Sequence, residues 1–459
     1  MTHRSSSCDR QQAHGCRPGV IGPRCVTVLL ALIVSFSTDG RTPPTTAQTA
    51  PSRSAASSNT PSAPTAPAAS AFYADSFSTV PSLPAMTALG RALFFDPALS
   101  ASGRMACATC HDPRFAYGPA DSKPVANGGA GLKDPGLRAI PSLRYTQNVP
   151  PFTERGLDAE GALGSADQGP AGGRTWDGRA NSAHDQALLP LLSSFEMANP
   201  SADSVIARVE RASYAATFRA TFGSDVFADR ARALKAVLLA LEVFQQSPAD
   251  FYPYSSRYDQ WLRGRIQLNA QEQRGLVLFT APDKGNCAQC HPSQIRRGSF
   301  PQFTDFGFNA LGVPRNRLIP ANSNANFYDL GLCGPERTDL MQHPEFCGLF
   351  RTPTLRNVAV RCVFFHNGTL HSLREVLEFY VERDLKPERW YSASNGRTQI
   401  YDDLPERYRG NVDHEPPLNR MPGDQPALSG AEIDDLLAFL QTLTDADLAA
   451  GATPACRKP

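Results

Sequence analysis

Apolar residues recur along much of the chain at helical spacing. Between Asp229 and Gln246, Leu234, Val237, Leu238 and Leu241 fall on one face, which predicts an amphipathic helix. Asn269 and Glu272 open a second apolar run, to Phe279, with the spacing of a capping box. Ser372 and Glu375 repeat the device at the start of a run with Leu373, Val376, Leu377 and Tyr380. Ser429 and Glu432 repeat it again before Ile433, Leu436, Leu437, Leu440 and Leu443. No comparable set of alternating strands is present. The expected class is all-α, with helices joined by long loops rich in Gly and Pro. The pattern also repeats weakly. Leu89-Gly90-Arg91-Ala92-Leu93-Phe94 leads into Cys107, and Gly275-Leu276-Val277-Leu278-Phe279 leads into Cys287. A short helix, a Pro-containing loop and a Cys pair, twice over, predict two related domains.

The start of the chain reads differently. Arg4, Arg10, Arg17 and Arg24 stand against one acid, Asp9, and the apolar run Cys25 to Phe36 follows. That run is shorter than the roughly 20 residues a membrane crossing needs. A basic segment ahead of it fits a secretory signal, so residues 1–42 are assigned to a leader. Residues 43–71 are Pro, Ala, Ser and Thr with almost nothing large, which cannot bury enough surface to order itself and reads as a linker. The folded part is expected from near Phe72, as domains over 72–248 and 249–459. Across all 459 residues, 41% are hydrophobic and 19% charged, enough for packed cores. The net charge of +1 lacks the basic excess of a nucleic-acid binder. No apolar run reaches about 18 residues, so no integral membrane domain is expected.

The 11 cysteines carry the chemistry. Three precede residue 26. Four form Cys107-Ala-Thr-Cys110-His111 and Cys287-Ala-Gln-Cys290-His291, the C-x-x-C-H pattern of c-type haem attachment. Two thiols three positions apart can form thioethers to the two haem vinyl groups, and the adjacent imidazole then falls beneath the iron. A redox dithiol would want a βαβ context, and a zinc site would want matching Cys/His partners elsewhere. Two such motifs, each after a similar helix, predict two covalently bound haem c groups, with His111 and His291 as axial ligands. Such attachment takes place outside the bacterial cytoplasm, which agrees with a periplasmic location. Cys333, Cys347, Cys362 and Cys456 remain and allow two disulfides in three connectivities, Cys333–Cys347 being the most local pair.

The second axial positions bear on function. After His111 the next His is His184 and the next Met is Met197, so the loop Pro113–Arg138 offers no strong distal ligand to the first haem. Further motifs follow: Leu93-Phe94-Phe95-Asp96-Pro97, Trp176-Asp177-Gly178-Arg179, Gln186, Pro190 and Glu196-Met197. Beyond them come Phe303-Thr304-Asp305-Phe306, Gly312-Val313-Pro314, Arg351-Thr352-Pro353-Thr354-Leu355-Arg356-Asn357-Val358 and His366-Asn367-Gly368. Over nearly all of residues 86–445 the chain resembles the bacterial di-haem cytochrome c peroxidase/MauG family.

That resemblance implies two c-type cytochrome domains with haems facing the domain interface. It implies Glu196 over an open iron as general acid/base, Gln186 and Pro190 shaping the same pocket, and Trp176 relaying electrons between the haems. On the helix after the His366 loop the peroxidases carry a ligating Met where the MauG branch has Tyr, and Tyr380 stands there. His371 and His366 are competing ligands, although His366 matches a family loop residue not expected on iron. The blocking His of the peroxidase loop has no match, so no reductive activation is expected. The family's calcium site is in question, because its side-chain amide matches Ala139 and its carbonyl donors match Arg361 and Val363. Arg361 is a candidate to fill that site with its own charge. The implied function is a periplasmic, MauG-like di-haem peroxidase that uses hydrogen peroxide to form a high-valent di-haem state and oxidise a partner protein. The alternatives are a peroxidase fed by a small cytochrome c and a non-catalytic di-haem electron carrier.

Overall fold

The computed structural model describes residues 76–155, 169–296, 298–449 and Cys456. The leader, the linker and the three cysteines before residue 26 lie outside the described residues. Helices of eight residues or more are α1 Leu83–Phe94, α2 Ala183–Leu192, α3 Ala202–Arg211, α4 Ala215–Phe222, α5 Arg230–Gln245, α6 Ala270–Thr280, α7 Leu373–Glu382 and α8 Gly430–Gln441. Their starts follow side-chain chemistry. Ser82, Ser182, Ser201, Asp229, Asn269, Ser372 and Ser429 each accept a hydrogen bond from an amide of the first turn, and only α4 begins without such a cap. The capping boxes read at Asn269, Ser372 and Ser429 are all formed. Among the described residues, strands are confined to two-residue ribbons such as Asn127–Gly128 with Asp134–Pro135.

Two helix pairs organise the molecule. Helix α1 packs on α5, and α6 packs on α8. Each pair closes at a glycine. A Cβ on Gly90 would lie 1.9 Å from the Ala240 carbonyl oxygen, and one on Gly275 would lie 2.1 Å from that of Asp435. Apolar side chains collect into one core between Met86 and Phe251 and a second between Tyr258 and Leu443. The cores are equivalent in detail. Phe94 meets Phe244 edge-on at 5.5 Å in the first, and Phe279 meets Phe439 at 5.1 Å in the second. The repeat seen weakly in sequence is therefore a repeat of packing.

Buried polar contacts join the two halves. The Arg144 guanidinium donates to Asp445 at 3.0 Å and to Asp447 at 2.5 Å, and the Tyr145 hydroxyl donates to Asp445 at 2.6 Å. Disulfides link Cys333 to Cys347, the local pairing expected, and Cys362 to Cys456.

Candidate cofactor cavities

Both C-x-x-C-H runs sit on single tight turns, Cys107–Cys110 and Cys287–Gln289. The His111 and His291 amides close these turns onto the carbonyls of Cys107 and Cys287 at 2.9 and 2.8 Å. Each imidazole is then anchored in the same way. His111 Nδ1 lies 2.9 Å from the Tyr117 carbonyl oxygen, and His291 Nδ1 lies 2.7 Å from that of Phe303. A ring N–H given to a carbonyl leaves the other nitrogen as the lone-pair donor a metal requires. Tyr117 and Phe303 both adopt left-handed backbone, φ 56° and 54°, which is uncommon for large residues and turns each carbonyl toward its histidine. Burial pushes both imidazoles down to about 4, so both are neutral.

The four motif thiols are unpaired. Burial pushes each of them up to about 12, so without a bound group they are protonated.

Two cavities open beside these motifs. The larger, about 320 Å³, is lined by Phe279, Cys287, Cys290, His291, Leu377 and Tyr380, among others. That volume falls in the cofactor range of roughly 300–1,000 Å³. Tyr380 thus shares a cavity with His291. Its phenol is raised by burial and by the neighbouring thiols, so its phenolate form needs a positive partner. His366 also borders this space with its ring stacked on Phe350 at 3.5 Å, whereas His371 is exposed and does not line it. The smaller cavity, about 50 Å³, brings together Cys107, Cys110, His111, Gln186, Pro190 and Glu196. Trp176 is absent from it. The indole is buried on the wall of the larger cavity, its Nε1 donating to the Ala139 carbonyl at 2.8 Å.

The position of Glu196 has a local cause. Pro190 lies inside α2, lacks the amide that would continue the helix ladder, and α2 ends two residues later. The chain then folds back, with the Glu196 amide on the Ser193 carbonyl at 3.1 Å and the Met197 amide on the Pro190 carbonyl at 3.0 Å. The Asn127–Gly128 ribbon presses on this turn. The Gly129 amide donates to the Glu196 carbonyl at 2.8 Å, and a Cβ on Gly128 would lie 2.3 Å from the Phe195 carbonyl oxygen. Burial raises the Glu196 carboxyl above the usual range, while the Ser193 hydroxyl and the Arg179 charge pull it part of the way back.

Several supporting residues were not singled out from sequence. Asp177 is buried and accepts from Arg138 at 2.6 Å, Arg179 at 2.8 Å and Thr175 at 2.5 Å. Burial alone would raise its carboxyl, but Arg138 and Arg179 outweigh that and hold it low. Arg138 also grips Asp329, on the wall of the larger cavity, at 2.6 Å. Gly178, at φ 65°, has no room for a Cβ beside Phe308 and Gly172. The Trp176-Asp177-Gly178-Arg179 motif is thus one buried charge lattice that fixes the indole, and the motif itself was the signal for it.

Arg351 and Arg361 also face the larger cavity. Arg351 donates to the Thr175 carbonyl at 3.0 Å and Arg361 to the Ile140 carbonyl at 3.2 Å. Neither has an ion-pair partner among the described residues. Burial pushes both down to about 10, and for Arg351 the Arg174 charge adds to it. Two uncompensated cations beside one cavity are costly unless the occupant is anionic. Haem, with its two propionates, fits that requirement, as it fits the paired thiols and anchored imidazoles. Among the described residues no group of three or more His, Cys, Asp or Glu side chains forms a metal cluster.

Comparison with known proteins agrees with this geometry. Residues 84–267 match the family model of the di-haem cytochrome c peroxidases. The methylamine utilization protein MauG of Paracoccus denitrificans is 35% identical over 379 residues, which cover 80% of this chain and 90% of that protein. The cytochrome c551 peroxidase of Nitrosomonas europaea is 28% identical over 66% of this chain and 74% of its own. Among solved structures, the diheme peroxidase BthA from Burkholderia thailandensis superposes with a TM-score of 0.71 at 38% identity, over 82% of this chain and 91% of that one. The chain belongs to the di-haem cytochrome c peroxidase/MauG family.

Proposed function

We propose that the protein is a periplasmic di-haem peroxidase of the MauG-like type, reacting with hydrogen peroxide at the Glu196 cavity and oxidising a partner protein. The observation that carries this reading is the asymmetry of the two cavities. One presents a buried carboxyl in the cavity of His111, and the other presents a phenol in the cavity of His291. Haem c, when bound, would supply the redox-active iron; Cys287, Cys290, His291 and Tyr380 would hold it in the larger cavity, and Cys107, Cys110 and His111 would hold it at the smaller one, whose walls must part to admit it.

Glu196 acts as the general base and then the general acid. Its carboxylate takes a proton from one peroxide oxygen and returns it to the departing oxygen, as heterolysis requires. Gln186 and Pro190 bound the same space and limit what enters. Trp176, fixed by the Asp177 lattice and by its hydrogen bond to Ala139, is positioned to relay electrons. The lack of a histidine between Pro113 and Arg138 supports a resting enzyme that needs no prior reduction. Export rests on the basic leader and on c-type attachment chemistry, and cell fractionation tests it.

The decisive experiment is electron paramagnetic resonance of the oxidised holoprotein before and after one equivalent of peroxide. One high-spin and one low-spin ferric signal, both altered by peroxide without added reductant, are expected. Two low-spin signals unchanged by peroxide would reduce the protein to an electron carrier. Rapid turnover with a reduced small cytochrome c would favour the cytochrome-fed reading, which the cytochrome c551 peroxidase likeness supports.

A further inference from the structure

A row of tyrosines that the reaction above does not use leads away from the larger cavity. Tyr145 is 1% exposed and its ring forms part of the cavity wall. The half-buried Tyr254 ring lies 5.1 Å from it, edge-on, and the Tyr252 ring lies 6.3 Å beyond. The Arg356 guanidinium covers both inner rings, 4.5 Å from Tyr145 and 4.7 Å from Tyr254, while paired with Asp259 at 2.9 Å.

This arrangement dictates how the rings could be oxidised. A cation over both faces opposes positive charge on either ring, so an electron can leave only if the phenolic proton leaves with it. Tyr145 has the acceptor in place. Its hydroxyl donates to Asp445 at 2.6 Å, and that carboxylate otherwise receives only donors, from Arg144 at 3.0 Å, Asn357 at 2.7 Å and the Ser255 amide and hydroxyl at 3.4 Å. The Tyr254 oxygen is met by the Gln147 amide at 2.9 Å and the Gln302 amide at 2.5 Å, while the carbonyl oxygens of both glutamines are buried without a partner. Rotating the Gln147 amide by half a turn offers Tyr254 an acceptor at the same distance, whereas Gln302 Nε2 is also held by the Phe300 carbonyl at 3.2 Å.

We propose that Tyr145 and Tyr254 form a one-electron relay that carries oxidising equivalents from the larger cavity toward the Tyr252 face. The proposal rests on the peroxidase reading, with hydrogen peroxide as the oxidant acting through the haem pair. Tyr145 gives one electron to the oxidised haem pair and its O–H proton to Asp445. Tyr254 then gives one electron to the Tyr145 radical, which recovers its proton from Asp445, and the Tyr254 proton passes to water. A reduced redox protein at the surface returns an electron to Tyr254, which regains its proton from water.

The test uses holoprotein, one equivalent of hydrogen peroxide and no external reductant, followed by freezing and electron paramagnetic resonance. An organic radical is expected whose splitting collapses when the protein is grown on ring-deuterated tyrosine. Tyr145→Phe should abolish it, and Tyr254→Phe should hold it at Tyr145 with a longer lifetime and with the optical change of the haems on peroxide addition retained. Circular dichroism checks folding of Tyr145→Phe, and the Tyr254 variant carries the test on its own if the first does not fold. A normal haem response with a radical unaltered in the folded variants would overturn the relay alone. No haem response in the unmodified protein would overturn the peroxidase reading and the relay with it.

Discussion

The two halves share a scaffold and differ in what faces the cofactor. Gly90 and Gly275 close equivalent helix pairs, Phe94 and Phe279 pack on Phe244 and Phe439, and Tyr117 and Phe303 turn left-handed carbonyls onto His111 and His291. Elsewhere in the cavities the likeness ends. The first half offers a carboxyl on a turn forced by Pro190 and strapped by Gly128 and Gly129, and the second offers a phenol in the last turn of a regular helix. The anchoring shell is duplicated, and the two cavities differ in the residues that share them with the histidines. That contrast can be attacked one half at a time.

The largest effect is expected at Glu196. Replacing it with Gln keeps the shape and removes the base, so the rate of the haem spectral change on peroxide addition should fall about 10²–10⁴-fold. The pH profile sharpens this. The ionised form is the base, and burial raises the carboxyl, so the unmodified protein should lose rate on the acid side at a higher pH than an exposed glutamate would give. The variant should lack that limb. Because the fold favours the protonated carboxyl, its contribution to stability is present below the unfolded value and is lost as pH rises through the folded one. A Glu196→Gln protein with unchanged peroxide kinetics would break the division of labour.

Tyr380→Met comes next and should touch the other half alone. An anionic oxygen ligand favours the oxidised iron, while Met raises the reduction potential. One midpoint potential should rise and the low-spin ferric signal should change, with the high-spin signal intact. If the high-spin signal moved instead, Tyr380 would not belong to the His291 cavity.

These two residues also mark the limits of what was readable in advance. The helices, the capping boxes, both C-x-x-C-H turns and the Cys333–Cys347 bridge were legible because each depends on residues close in sequence. Glu196 and Tyr380 were placed by family resemblance, since a carboxyl after a helix and a tyrosine on an apolar face are ordinary in isolation. Asp177 and Arg351 were legible only as members of motifs and Arg361 only as a stand-in for calcium; the Arg138–Asp177–Asp329 lattice and the missing ion-pair partners of Arg351 and Arg361 were not. Their meaning lies in partners many residues away, or in the lack of one, and no periodicity records that. The expectation for Trp176 was sharpened, because its indole belongs to the wall of the larger cavity and does not border the Glu196 space.

A smaller and symmetrical effect should follow from Gly90→Ala and Gly275→Ala. Each added methyl meets a facing-helix carbonyl near 2 Å, 1.9 Å in the first and 2.1 Å in the second, so the helices must part. Overpacking of this kind costs roughly 1–3 kcal/mol. Urea unfolding should show comparable losses in both variants. A loss in one and none in the other would mean that the packing repeat is not an energetic repeat.

The smallest expected effect concerns the cation between the halves. The family's calcium site would need a side-chain amide where Ala139 stands, and the Arg361 guanidinium already reaches the neighbouring Ile140 carbonyl at 3.2 Å. A fixed guanidinium and a divalent ion repel each other through a poorly solvated space. If Arg361 stands in for calcium, chelation should leave the spectra and peroxide kinetics of the purified protein unchanged. Arg361→Gln removes the charge, so this variant alone should gain sensitivity to calcium. Tight stoichiometric calcium in the unmodified protein, with loss of the low-spin signal on chelation, would show that the two halves are coupled by an ion and not by an arginine.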